Sequence, residues 1–138
     1  MKLTAPGQAM ERRSLSEGVG QTMSSVILRS DVRTVLADWQ AGHRTSQDVH
    51  AWAEARFAVD DWECEDDVVN EVLAQLDMLD VNLLTADDVP VLLTMLDLPA
   101  GQAARASEIL SSYLAGLDLL GRKRALARDP VYARFCVE

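Results

Sequence analysis

Between Asp60 and Asp80 the chain reads DDWECEDDVVNEVLAQLDMLD, nine carboxylates with no lysine or arginine in twenty-one residues. Carboxylates at that density ligate a cation, meet a cationic surface, or solvate the outer side of a helix. A calcium loop starting at Asp61 would use Asp61, Glu63 and Glu65, but Asp66 stands where the sharp turn needs glycine and Val72 where the closing glutamate belongs. A bundle-type two-metal site needs a glutamate three residues before each histidine, and Gln40 and Gln47 precede His43 and His50. No metal site and no cofactor is expected.

Enzyme chemistry finds no better footing. There is no Gly-x-Ser-x-Gly elbow, no Gly-x-x-x-x-Gly-Lys phosphate loop, and Gly18-Val-Gly20 lacks the third glycine of a dinucleotide fingerprint. His50 and Glu54 lie one helical turn apart, which reads as a solvated helix pair rather than an acid–base couple. Cys64 and Cys136 have no Cys-x-x-Cys neighbour and read as buried or idle thiols. The expectation is a protein that is not an enzyme and has no catalytic residues.

Charge is segregated along the chain. Residues 48–97 hold fourteen acids against one base, Arg56, a net of −13, whereas the remainder holds twelve bases against eight acids. The tail from Gly121 carries Arg122, Lys123, Arg124, Arg128 and Arg134. Either this tail folds back on the acidic middle, or the acidic face stays free to steer a cationic protein. A nucleic-acid partner is not expected, since the sequence pI of about 4.6 is far from the basic footprint that duplex binding needs. With no continuous apolar stretch near the roughly 18 residues of a membrane span and no secretory leader pattern, a cytoplasmic protein without membrane contact is expected.

The elements that would carry these residues read as helices. Residues 1–23, with Pro6, Gly7, Gly18 and Gly20, keep no apolar period and are expected to form a mobile arm ahead of one helical domain over 24–138. Val32, Val35, Leu36 and Trp39 recur at helical spacing up to Gly42. Thr45 with Asp48 makes a capping pair for a second helix with Val49, Trp52, Ala53 and Phe57 inward. In the acidic stretch Val68, Val69, Val72, Leu73, Leu76 and Leu79 share one side of a helix, with Asp67, Glu71, Asp77 and Met78 opposite. Glu65, Asp66 and Asp67 fall at its start, where the helix dipole favours negative charge.

Thr85 with Asp88 repeats the capping pattern ahead of a central apolar helix with Pro90 in its first turn. A long helix then carries Ile109, Leu110, Tyr113, Leu114, Leu117 and Leu120 on one face to about Gly121, and Asp129-Pro130 opens a short final one through Phe135. No strand pattern is visible. The fold class is therefore all-α, a compact bundle of five or six helices.

The order Trp39-Gln-Ala-Gly42, Val49-His-Ala-Trp-Ala-Glu54, an acidic helix and Leu83-Leu-Thr-Ala-Asp-Asp88, spanning about residues 28–98, resembles bacterial self-protective immunity proteins of the colicin-like kind. The resemblance implies a helical protein that binds a nuclease toxin and blocks its active site. Apart from it, carboxylates acting as phosphate surrogates would suit a cationic cleft. The expected contacts are Asp60, Asp61, Glu63, Asp67, Glu71 and Asp77, with Trp62 and Met78 as apolar contacts. Trp62 is either tucked under the helix or open to the partner. The competing class is a helical adaptor or homo-oligomer whose acids only keep it soluble.

Overall fold

A computed structural model describes residues 25–57 and 62–137. The arm expected over 1–23 lies outside them, as do Asp60 and Asp61; of Phe57 and Trp62 only the backbone is described. The described chain is all-α, with six α-helices and one pair of three-residue strands.

The helices begin where capping side chains stand. Helix α1, Arg29–Gln40, starts with the Leu28 amide donating to Asp31 Oδ2 at 2.9 Å and ends before Gly42, whose φ of +84° is the left-handed turn that glycine enters without strain. Helix α2, Ser46–Phe57, opens on a reciprocal pair: the Asp48 amide donates to Thr45 Oγ1 and the Thr45 amide to Asp48 Oδ2. Helix α3, Asp67–Asp77, is capped by Asp66, which accepts from the Val69 amide at 2.9 Å. Thr85 and Asp88 form the same kind of cap on a 3₁₀ turn, Ala86–Asp88, that runs into helix α4, Val89–Leu96, with Pro90 in its first turn.

All six apolar residues expected on the inner side of α3 are buried, and all but Val68 meet Val32, Val35, Leu36 and Trp39 of α1 and Val89, Leu92, Met95 and Leu96 of α4 in one core. Helix α3 packs on α1, α2, α4 and α5, so it shares the centre with α4 instead of leaving that place to α4 alone. Trp39 is buried, with its indole N–H donating to Ser46 Oγ at 3.1 Å. Trp52 is half-buried at the core margin with the Arg56 guanidinium 4.2 Å over its ring.

Two expectations change. The long C-terminal helix is two: α5, Ala103–Ala115, and α6, Leu119–Leu126. The break falls at Gly116 because Asp118 starts a new helix, its Oδ1 accepting from the Gly121 amide at 3.0 Å. A β-carbon on Gly121 would sit 2.3 Å from that carboxylate, so glycine leaves room for the cap. Leu120, expected on the inner face, is consequently exposed. The second change is a parallel strand pair, β1 Ser25–Ile27 with β2 Trp62–Cys64, in register Ser25 to Trp62 and Ile27 to Cys64. Each strand is too short to show a period of two. The short final helix is a 3₁₀ turn, Ala133–Phe135.

Candidate functional site

The acidic helix begins with carboxylates that fasten the fold together. Asp66, besides capping α3, takes the Arg29 guanidinium at 2.7 Å. The same Arg29 donates to the carbonyls of Leu98, at 2.9 Å, and Leu96, tying α1 to the end of α4. Burial works to raise the Asp66 pKa, but the Val69 amide and Arg29 outweigh it and hold the carboxyl below its ordinary value. Asp67 is exposed at its edge, yet its two oxygens accept from the Gly101 amide at 2.6 Å and the Ala103 amide at 3.3 Å. It thereby closes the Pro99–Gly101 turn, where Gly101 has φ +93°, onto the start of α5. The Gly101 bond is the main reason its pKa is lowered.

Farther along α3 the pattern changes. Glu63, in β2, is exposed. Half-buried Glu71 accepts from Gln75 Nε2 at 3.1 Å, and Gln75 Oε1 in turn accepts from Asn82 Nδ2 at 3.2 Å. Asp77 ends the helix beside α2: its carbonyl lies 3.0 Å from His50 Nε2, and its carboxyl is raised in pKa by burial, with Glu54 and Asp80 adding to the rise against a pull from His50. Among the described residues no ion pair involves Glu54, Glu63, Glu71 or Asp77. His50 and Glu54 are not simply a solvated pair, since His50 turns to Asp77 and lies 3.6 Å from Asp80 Oδ1.

Among the described residues, two ion pairs join the basic tail to the acidic middle. Arg122 Nη1 donates to Asp88 Oδ2 at 2.6 Å and to the Leu83 carbonyl at 3.1 Å. Asp88 is 0% exposed and also accepts from the Thr85 amide at 2.7 Å and the Tyr113 hydroxyl. That hydrogen bond to Asp88 is the largest cause of the raised Tyr113 pKa. Leu83 has φ +56°, a conformation that costs a non-glycine residue about 1–3 kcal/mol, and Arg122 helps to hold it. The second point is Arg134, 3.9 Å from Asp80 Oδ2. Nearby, Tyr132 is buried with its hydroxyl donating to the Leu84 carbonyl.

Of the expected contact residues, then, Glu63, Glu71 and Asp77 lie on or beside α3 with no ion pair among the described residues, and Asp67 is engaged within the fold. Met78, at the end of α3, is 42% exposed. Sequence reasoning did not single out what lies beyond it. Val81 is 47% exposed, Leu119 55% and Leu120 45%. Val81 and Leu119 line a groove of about 240 Å³ with Asn82, Leu114, Leu117 and Arg122. The period through Leu117 and Leu120 disguised it, because the groove exists only where that helix breaks.

Among the described residues no group of three or more His, Cys, Asp or Glu side chains is placed to hold a metal ion, and no helix is long and apolar enough to cross a membrane. Cys64 and Cys136 are unpaired; burial, with Asp66, raises the Cys64 thiol pKa. No family model, curated protein or solved structure matches this chain.

Proposed function

We propose that the chain is a protein-binding module that takes a cationic partner on the carboxylates along α3 and the adjoining end of α2, and that it acts by covering the partner's basic surface rather than by catalysis. The observation that carries this is how the charges pair. The tail's Arg122 is committed to buried Asp88 and Arg134 faces Asp80, while Glu54, Glu63, Glu71 and Asp77 have no ion pair among the described residues. Such a row raises association rates by steering an oppositely charged surface and disfavours acidic competitors. A nuclease toxin with a cationic substrate cleft is the partner class these carboxylates fit, as an immunity protein in a bacterial cytoplasm would require. The exposed Val81 and Leu119 favour the second reading, an adaptor or homo-oligomer held by apolar contact.

The test is capture of a basic protein from the source cell, followed by association kinetics against a quadruple variant, Glu54→Gln, Glu63→Gln, Glu71→Gln and Asp77→Asn. Asp67 is left intact because it holds the Gly101 turn. The variant is expected to associate about tenfold more slowly at low salt, with the gap closing as ionic strength passes about 0.15 M, where the screening length is about 8 Å. Equal rates and equal salt dependence would reduce the row to a solvated surface.

A further inference from the structure

We infer that the pocket between α2 and the last turns of the chain takes the ammonium of a lysine side chain of the partner, which displaces Arg134 from buried Asp80. The inference rests on the protein-binding reading above and names an anchor for the same cationic partner. The pocket has a volume of about 320 Å³ and is lined by Gln47, His50, Asp80, Pro130, Val131 and Arg134. That volume is at the lower end of the range usual for small-ligand sites and leaves room for one long side chain.

Asp80 is the reason to expect a cation. It is 7% exposed, and its two oxygens are served unequally. Oδ1 accepts from the Val81 amide at 2.8 Å, whereas Oδ2 makes no hydrogen bond among the described residues and has Arg134 3.9 Å away. His50 does not supply the missing donor. Its Nε2 is 3.0 Å from the Asp77 carbonyl, which can only accept, so the ring proton points there, and Asp80 Oδ1 lies beyond hydrogen-bond reach at 3.6 Å. A buried carboxylate oxygen without a donor is costly, and an entering donor relieves that cost. Arg134 is a poor occupant, since its side chain is 80% exposed and its guanidinium also lies 4.8 Å over the Phe135 ring, where it can stay once displaced. Asp77 does not line the pocket; its carbonyl meets His50, which does, so the pocket adjoins the α3 row. The geometry also selects ammonium over guanidinium. With Oδ1 taken by the Val81 amide, one oxygen remains, which suits a single-point donor on a flexible stem and gives arginine no paired fork.

The probe is the capped tripeptide Ala-Lys-Ala, titrated into the full chain and followed by amide NMR, with the Val81 amide as reporter because it is bonded to Asp80. The same tripeptide with its lysine acetylated should bind about tenfold more weakly, and Ala-Arg-Ala about threefold more weakly. Arg134→Ala should bind Ala-Lys-Ala about threefold more tightly than wild type, because it removes the competing cation. Arg128→Ala, which removes the same charge at an exposed position that does not line the pocket, should leave the affinity unchanged. Asp80→Asn keeps an acceptor for the Val81 amide and should weaken binding about tenfold. Equal binding of the acetylated tripeptide overturns the inference, as does equal or tighter binding of Ala-Arg-Ala. Equal affinities of Arg134→Ala and Arg128→Ala overturn it too, a comparison that stands even where Asp80→Asn does not fold. The outcomes separate from those of the preceding proposal, whose quadruple variant leaves Asp80, Gln47 and Arg134 in place. If that variant slows the captured partner while Ala-Lys-Ala does not bind wild type, the α3 row stands and the pocket falls; binding of Ala-Lys-Ala with unchanged partner rates keeps the pocket and removes the row.

Discussion

Asp88 and Asp77 belong to the same acidic middle of the chain, but one is an interior strut and the other a surface charge. Asp88 is enclosed by the Thr85 amide, the Tyr113 hydroxyl and Arg122, so its charge is fully answered within the fold. Asp77 ends a helix beside Glu54 and Asp80, and burial, with those two acids, raises its pKa against the pull of His50. The difference is a matter of reach. A carboxylate becomes structural where backbone amides and a tail arginine converge on it, and stays available where burial and neighbouring acids outweigh a single histidine.

The sharpest way to break the contrast is Arg122→Ala. It strands Asp88 without its cation at 0% exposure and removes the donor at the Leu83 carbonyl. A loss of about 3–5 kcal/mol is expected in urea unfolding. Leu76→Ala tests the inner side of the very helix whose outer side carries Glu71. It should cost about 2–5 kcal/mol, since Leu76 is fully buried and the cavity cannot refill.

Tyr132→Phe should cost about 1–3 kcal/mol at neutral pH by leaving the buried Leu84 carbonyl without its donor. It also carries a pH signature. Burial pushes the Tyr132 phenol from 10.0 up to about 12, so the stability it contributes is complete below about pH 10 and is lost as pH rises through about 12. Alkaline unfolding curves should show that loss in the wild type and less of it in Tyr132→Phe. Asp67 gives the acid counterpart: the Gly101 amide lowers its pKa from 3.8, so its contribution is present above that value and vanishes as pH falls through the lower folded value. Asp67→Ala should therefore be less stable than wild type near neutrality and nearly equal to it in acid, as read by urea midpoints. The smallest effect belongs to the outward row. The quadruple amide variant should unfold within about 0.5 kcal/mol of wild type, and a larger loss would show that the row is structural after all.

Local chemistry was legible wherever partners lie within one helical turn. Thr45 with Asp48 and Thr85 with Asp88 could be read as caps from spacing, and the inner set from Val68 to Leu79 from period, because both depend on backbone geometry near in sequence. The function of Asp67 was not legible, since its partner is a glycine amide in a distant turn, and the spacing that placed it outward says nothing of that turn. Arg122 was visible only as one cation of a basic tail; its meeting with Asp88 depends on how α6 turns after Asp118. The α5–α6 break illustrates the competition directly. The leucine period argued for continuation, while Gly116 and the capping geometry of Asp118 argued for a stop, and the local cap prevailed.

The short parallel pair also closes a long loop. Joining Ser25–Ile27 to Trp62–Cys64 requires the ends of a segment containing both α1 and α2 to meet, a closure whose entropy is lost before any ladder bond rewards it. Helices α3 and α4, adjoining in sequence and packed together, carry no such delay. The seam is also stitched to the helical core, because Ile27 of β1 is 2% exposed within that core, so parting the strands uncovers part of it.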